Sequence, residues 1–299
     1  MGERKTVIAL GYFDGIHIGH GALLNKAKER AGQLGAEPAV LTFDNHPDTF
    51  VKKVPVELIN SAADRVYIIR KYYGIQQVFF LHFNDKTMRM DWKVFLEKII
   101  ETYGVVHFVV GHDFHFGYKG LGTAEVLQDY CAEQGLGCDV IPAVKKEDII
   151  ISSTYIRQLI TAGEMERANA FLGHPHILTD TIRSGFRIGR TIEAPTINMQ
   201  LQEHVIVPRH GVYATRVLLP DGGHFAVTNV GIRPTFNGER VTVETNILDF
   251  DGDLYGQPAC VEFYRFLRPE QKFASAEALM AQIKQDAESA RDVLSEMAQ

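Results

Sequence analysis

The sequence predicts two domains of different class: an α/β domain on a parallel sheet over residues 1–173, then a small antiparallel β-barrel with a C-terminal helix over residues 174–299. Three observations predict it. Apolar β-type runs alternate with helical patterns through the first part, which implies right-handed crossovers and a mostly parallel sheet. Gly173-His174-Pro175-His176 breaks that rhythm, and closely spaced strand-like runs then follow, separated by Pro-Asp-Gly-Gly, Asn-Gly and Asp-Gly turns. Finally Leu279, Ile283, Ala287, Ala290 and Leu294 recur at helical spacing near the C-terminus.

In chain order, the apolar run at 6–10 is a strand, and Leu23, Leu24, Ala27, Ala31 and Leu34 mark one face of the helix after it. Residues 39–43 read as a buried strand that ends in the polar turn Asp44-Asn45-His46-Pro47. Ser61 is the expected N-cap of a helix carrying Val66, Ile68 and Ile69. Strands at 78–81, 107–110 and 138–141 alternate with helices at 92–103 and 126–134, and two further helices start near Ser152 and Glu164. In the second domain, strands are expected at 176–182, 211–219, 224–230, 241–250 and 259–266, and a helix at 275–297.

A chain of 299 residues suits two domains, and 45% apolar with 23% charged residues describes a globular protein able to bury proper cores. A net charge of −6 with a pI near 6.1 argues against a dominant basic surface for nucleic acid. No apolar run is long enough to span a bilayer and no signal-peptide core is found, so no membrane partner is expected. Cys131, Cys138 and Cys260, with no CxxC spacing, suggest a reducing compartment, hence a cytoplasmic protein. A homo-oligomer is compatible with the sequence.

The chemistry gathers first at Leu10-Gly11-Tyr12-Phe13-Asp14-Gly15-Ile16-His17-Ile18-Gly19-His20, where a strand turns into a helix. Unpaired N–H groups and the helix dipole favour an anion there, and Gly11, Gly15 and Gly19 let backbone approach a phosphate. His17 and His20, three apart, can reach one point and donate to charge developing on a phosphoryl oxygen. His-Ile-Gly-His lacks the carboxylate of a helical zinc motif and no cysteine is near, so a metal is not expected. Asp44–Pro47 and Gly111-His112-Asp113-Phe114-His115-Phe116-Gly117 also fall at strand ends, where parallel sheets bind ligands. Ser152-Ser153-Thr154-Tyr155-Ile156-Arg157 reads as an ordinary helix cap when taken alone, yet its hydroxyls and arginine also suit a triphosphate.

In the second domain, Pro195-Thr196-Ile197-Asn198 places a hydroxyl and an amide on one face of an extended segment. Both are hard oxygen donors suited to Mg²⁺ carrying a phosphate, although local Thr and Asn bonding would explain them as well. Gly231-Ile232-Arg233-Pro234-Thr235-Phe236 reads as turn-rich. Glu244, inside a β-like run, is either a solvent-facing strand residue or a base for a primary alcohol.

The string Gly11–His20 resembles the nucleotide-binding motif of the nucleotidyltransferase superfamily, with class I aminoacyl-tRNA synthetases as the alternative on that string alone. A lysine-rich signature of the Lys-Met-Ser-Lys-Ser kind, which the synthetases would need, is absent. The order of all the motifs, over nearly the whole chain, resembles the bacterial bifunctional riboflavin kinase/FMN adenylyltransferase (FAD synthetase) family. That resemblance implies a nucleotidyltransferase-like, Rossmann-like first domain that adenylylates FMN to FAD, and a barrel that phosphorylates riboflavin to FMN, both with ATP. It implies that His17 and His20 stabilise adenylyl transfer within a loop of Gly11, Phe13, Asp14, Gly15 and Gly19. Asp113 would help position nucleotide or flavin, and Ser152, Ser153, Thr154 and Arg157 would hold phosphate. Gly189, Thr196 and Asn198 would hold Mg²⁺·ATP, and Glu244 would be the base toward the ribityl hydroxyl.

The chain departs from the family pattern at Glu193-Ala194, where Gly-Phe is usual, at His115, where arginine is usual, and at Asn45, where proline is usual. Tyr118-Lys119-Gly120 also replaces a more basic stretch. A single-activity FMN adenylyltransferase whose barrel only binds flavin, and a flavin sensor without catalysis, are therefore the alternatives.

Overall fold

Strand β1 (Thr6–Leu10) is buried at every position, as a continuous apolar run in the middle of a sheet must be. It is the central strand of a parallel sheet in a computed structural model that describes residues 5–182, 196–199, 204–235, 238–252, 254 and 256–297. The chain divides into two compact units, Met1–Glu57 with Arg65–Ser153, and Leu58–Asp64 with Thr154–Gln299.

In the first unit, β1 is followed by α1 (Ile18–Leu34), β2 (Glu37–Phe43) and α2 (Pro47–Lys52). Helix α3 (Ala62–Ile68), which belongs to this unit from Arg65 onward, runs into a π-type turn over Ile69–Tyr73, and β3 (Gln77–Leu81), α4 (Asp85–Met88), α5 (Trp92–Tyr103) and β4 (Val105–Gly111) come next. A small hairpin of β5 (His115–Phe116) and β6 (Gly122–Thr123) precedes α6 (Ala124–Gln134) and β7 (Gly137–Ile141). The short strands β8 (Lys145–Lys146) and β9 (Ile149–Ile150) pair with each other. The sheet order is β3-β2-β1-β4-β7, with all pairs parallel, so the direction of winding reverses between β1 and β4. Loops leaving those two strands flank the crevice where open α/β sheets bind ligands.

Every expected strand and helix of this part is present, with ends moved by a few residues. Two short helices were not legible. Helix α2 starts on Pro47 behind His46, whose ring accepts the Asp48 N–H at 3.0 Å; histidine is outside the usual cap set, so 44–47 read as a turn only. Helix α4, capped by Asn84, is a single turn without periodicity to read. Ser61 does cap α3: its hydroxyl accepts from the Asp64 N–H at 3.1 Å, and Asp64 returns a bond to the Ser61 N–H at 3.2 Å.

The second unit holds α7 (Ser153–Ala162) from Thr154 onward, α8 (Met165–Leu172), β10 (His176–Thr181) and β11 (Thr196–Met199). Then come β12 (Gly211–Leu219), β13 (Gly222–Thr235), β14 (Gly238–Ile247), β15 (Pro258–Arg268) and α9 (Ala276–Met297). The antiparallel order is β10-β15-β12-β13-β14-β11. All six strands contribute to one buried cluster, including Leu178, Ile197, Tyr213, Val230, Val243 and Phe263, so the sheet curls into a barrel around it. Residues of opposite parity, such as Ala214 and Val227, face outward and are covered by Ala290, Val293 and Leu294 of α9. The stretch read as turn-rich, 231–235, instead continues β13, because the long hairpin with β14 keeps pairing to its tip.

Candidate active sites

At the end of β1 the chain enters a turn that ordinary residues resist. Phe13 has φ 59° and ψ 39°, Gly15 φ 82° and Ile16 φ 43°. A β-branched residue at positive φ is rare, and such strain persists only where surroundings hold it. Phe13, Asp14, Gly15 and Ile16 are all buried, and the Asp14 carbonyl accepts the Ser153 hydroxyl at 2.9 Å. His17 then serves as the N-cap of α1, its Nδ1 accepting the His20 N–H at 3.2 Å. That bond places the proton of the neutral His17 ring on Nε2, the nitrogen able to donate elsewhere.

The His17 and His20 rings stack at 3.6 Å between centroids, 11° from parallel, and Phe13 meets His20 edge-on at 5.2 Å. A Cβ on Gly19 would come within 3.1 Å of the His17 ring, so a glycine keeps the pair in place. Burial, then His17 and Arg65, hold the His20 pKa well below the usual histidine range, so this ring is neutral near neutral pH. Two imidazoles at a helix N-terminus are placed to donate hydrogen bonds to an anion.

Gly11 leaves β1 with its N–H on the Leu41 carbonyl at 3.3 Å. Asp113 lies exposed just beyond β4, where its carbonyl bonds the His115 ring at 2.8 Å. Ser152 and Ser153 are half-buried in the first unit, whereas Thr154, exposed, and Arg157, half-buried, pack with the second. Sequence reasoning missed Thr42 and Arg65, whose side chains sit under the loop. Arg65 donates to the Tyr12 carbonyl at 2.7 Å and Thr42 Oγ1 at 2.8 Å through Nη1, and to the Phe43 carbonyl at 2.8 Å through Nη2. No local motif points to an arginine 53 residues beyond the carbonyl it bonds.

The second site is written across a sheet. Asn198 on β11 stands opposite Glu244 on β14, Glu244 opposite Asn229 on β13, Asn229 opposite Val212 on β12, and Val212 opposite Arg268 on β15. Directly opposed residues have Cβ atoms about 4.5–5.5 Å apart, so Asn198 and Glu244 can serve one ligand. Val243, Thr245 and Ile247 of β14 are buried in the barrel, while Glu244 and Asn246 have the outward parity and are half-buried. On that outer side lies a cavity of about 280 Å³, with Glu244, Asn246 and Asn229 on its floor and Leu279 and Ile283 of α9 on its wall. Arg268 fixes α9 over it through a paired contact to the buried Asp286 at 2.9 and 2.7 Å. Glu270 accepts from Asn229 at 3.2 Å at the same opening.

Thr196 pairs in register with Asn246, two residues along from the Asn198–Glu244 pair. Gly189 and Glu193 lie outside the described residues. Amide and carboxylate oxygens on adjacent strands make a hard donor set, which fits Mg²⁺ better than a softer metal. Among the described residues no cluster of three or more His, Cys, Asp or Glu forms a metal site of the protein's own.

The FAD synthetase family model matches residues 1–155 and the riboflavin kinase family model residues 172–294. The chain is 34% identical over 292 residues to a bifunctional riboflavin kinase/FMN adenylyltransferase of Listeria monocytogenes, covering 97% of this chain and 92% of that one. It is 33% identical over 294 residues to the protein of that description from Escherichia coli K12, covering 97% and 93%. A crystal structure described as a macrolide-efflux protein from Streptococcus pneumoniae superposes with a TM-score of 0.85 at 31% identity, over 97% of this chain and 95% of that one. Among the described residues of the present chain, no helix is long and apolar enough to cross a membrane.

Proposed function

The chain belongs to the bifunctional riboflavin kinase/FMN adenylyltransferase family, and from that premise we propose how its residues divide two reactions of flavin biosynthesis. In residues 174–299, ATP phosphorylates the 5′-hydroxyl of riboflavin to give FMN and ADP. In residues 1–173, the FMN phosphate attacks the α-phosphorus of a second ATP, the bond to the β-phosphate breaks, and FAD and pyrophosphate leave. Neither step needs a covalent intermediate on the protein.

For the kinase step, Glu244 takes the hydroxyl proton as the γ-phosphoryl group arrives. The observation that carries this assignment is the register of Asn198 against Glu244 beside the cavity under α9. The cavity, polar on its floor and apolar on its wall, suits a flat heteroaromatic ring with a polyhydroxyl tail. Thr196 and Asn198 would hold Mg²⁺, which when bound offsets charge on the ATP phosphates.

For the adenylyl step, His17 and His20 donate to the α-phosphoryl oxygens as their charge grows, and the backbone from Gly11 to Gly19 cradles the phosphates. Ser152, Ser153, Thr154 and Arg157 contribute further phosphate contacts, and Asp113 positions the nucleotide or flavin. The sparse cysteines, Cys131, Cys138 and Cys260, favour a reducing cytoplasm as its place of work. Incubation with riboflavin, Mg²⁺ and ATP, followed by separation of the flavins, should show FMN and then FAD. Turnover of neither flavin would refute the reading, and FMN supplied directly but converted alone would leave only the adenylyltransferase.

A further inference from the structure

Under the strained loop of the first unit lies a cation that no motif foretold. The Arg65 side chain is fully buried, yet among the described residues it makes no ion pair, and its Nε has no hydrogen-bond partner. Burying an unpaired charge costs several kcal/mol even after relaxation, so the position calls for a reason. Its three bonds go to Tyr12 O, Thr42 Oγ1 and Phe43 O, and the first two converge on the Tyr12 carbonyl. Tyr12 O accepts from Arg65 Nη1 at 2.7 Å and from Thr42 Oγ1 at 2.7 Å, while Thr42 Oγ1 itself accepts from Arg65 at 2.8 Å. The guanidinium also lies 4.7 Å from the centre of the Tyr12 ring. The next residue is Phe13, where the left-handed turn begins that ends in the His17 cap.

We propose that Arg65, with Thr42, is a positioning residue for adenylyl transfer: the two clamp the Tyr12 carbonyl and so hold the strained loop that presents His17 and His20. The inference rests on the adenylyl-transfer reading of that loop and adds the device that keeps it in shape. The clamp fixes the direction of the Tyr12–Phe13 peptide, which sets where the following turn can go. With the carbonyl released, Phe13 and Ile16 can relax toward ordinary φ values, and the histidine pair moves from its place. A displacement of about 1 Å in a positioned group can cost about 10²-fold in rate. Arg65 also faces the His20 imidazole electrostatically, as does His17; Asp14 and Asp44 face Arg65 in turn, and the Tyr73 hydroxyl closes on Gly21 in the same helix turn.

The test compares Arg65→Met, Arg65→Lys and Thr42→Val in the full chain, measuring kcat and KM for FAD formation from FMN and ATP. Arg65→Met should lower kcat about 10²-fold with a much smaller change in KM. Thr42→Val, which keeps the charge and loses one bond to the carbonyl, should lower kcat less. Arg65→Lys, keeping charge but not the fork, should fall between the parent and Arg65→Met. FMN formation from riboflavin should be unchanged in all three. The His20 ring, followed by NMR, should titrate at higher pH in Arg65→Met than in the parent, and Thr42→Val should leave it near the parent value.

Fluorescence of Trp92, the single tryptophan, reports whether the first unit is folded. If Arg65→Met does not fold, Thr42→Val decides, and full kcat in that variant overturns the clamp. Parental kcat in a folded Arg65→Met overturns it as well, as does a loss confined to KM. If His17→Ala and His20→Ala both retain FAD formation, the adenylyl reading itself fails. Loss in those two with none in the Arg65 and Thr42 variants refutes only the clamp.

Discussion

The two sites are built on opposite plans. In the first unit, the side chains proposed for adenylyl transfer come from one turn of chain: His17 and His20 are three apart and stack because a helix begins between them. In the second, Asn198 and Glu244 lie on different strands and meet only because β11 and β14 pair in one register. The first arrangement is set by local backbone geometry, and strain at Phe13 and Ile16 is its cost. The second needs no unusual backbone, since a regular antiparallel ladder puts alternate residues on one face. A site made from a turn is therefore sensitive to what braces the turn, and a site made from a sheet is sensitive to register and to what covers the face.

The largest expected effect breaks the sheet site without touching the turn. Glu244→Gln keeps shape and hydrogen bonding but loses basicity, so FMN formation from riboflavin should fall about 10²–10⁴-fold. Supplied with FMN, the variant should form FAD at close to the parent rate. Normal phosphorylation of riboflavin would make Glu244 a structural strand residue. Next in size is the converse experiment. His17→Ala and His20→Ala should each lower FAD formation about 10²–10³-fold while FMN still accumulates from riboflavin. Near-parental FAD synthesis by both would remove the role assigned to the pair.

That contrast also explains what was legible. The helix at 92–103 and the strand at 211–219 have their bounds as read, because Asp91 and Gly104 flank the one and the Pro220-Asp221-Gly222-Gly223 turn ends the other. His17 and His20 were legible because they are neighbours in sequence. Thr196 and Asn198 could be placed on one face, but their pairing with Asn246 and Glu244 depends on a register that spacing does not report. Arg65 was hidden for a physical reason. Two of its three partners are main-chain carbonyls just past β1 and at the end of β2, and a carbonyl carries no sequence signature. Asp286 was hidden similarly: it occupies the apolar side of α9, and its charge is met by Arg268 across the cavity mouth, with Gln282 donating to it at 2.9 Å.

A smaller effect should sharpen the role of the cover. Ile283→Trp adds bulk to the wall of the cavity of about 280 Å³ and leaves the row on the sheet intact. Overpacking typically costs about 1–3 kcal/mol, or roughly 5-fold to 150-fold, here against the bound flavin. Riboflavin KM should rise by about that factor, with FAD formation from FMN unchanged. A parental riboflavin KM would place the flavin ring somewhere other than under α9.

The smallest effect concerns stability alone and separates the units by acid. His176, at the start of β10, is fully buried, and neither ring nitrogen has a hydrogen-bond partner. Burial, with the neighbouring His174 in second place, pushes its pKa down to about 3. A histidine depressed in the folded state binds its proton more readily when unfolded. Its contribution is therefore fully present above about pH 6.5, the unfolded value, and is lost as pH falls toward 3, at up to about 1.4 kcal/mol per pH unit. His176→Leu removes both the proton site and two buried polar atoms without partners. At pH 7.5 it should be neutral to stabilising, since an unsatisfied buried group costs about 1–3 kcal/mol. Between pH 6.5 and 5 the parent's second unit should lose stability more steeply than the variant's. Calorimetry can follow this, because the transition of the first unit is identified by Trp92 fluorescence and the remaining one belongs to the barrel. Equal acid slopes in parent and variant would mean that His176 finds a proton partner in the folded barrel, and the asymmetry between the units would need another source.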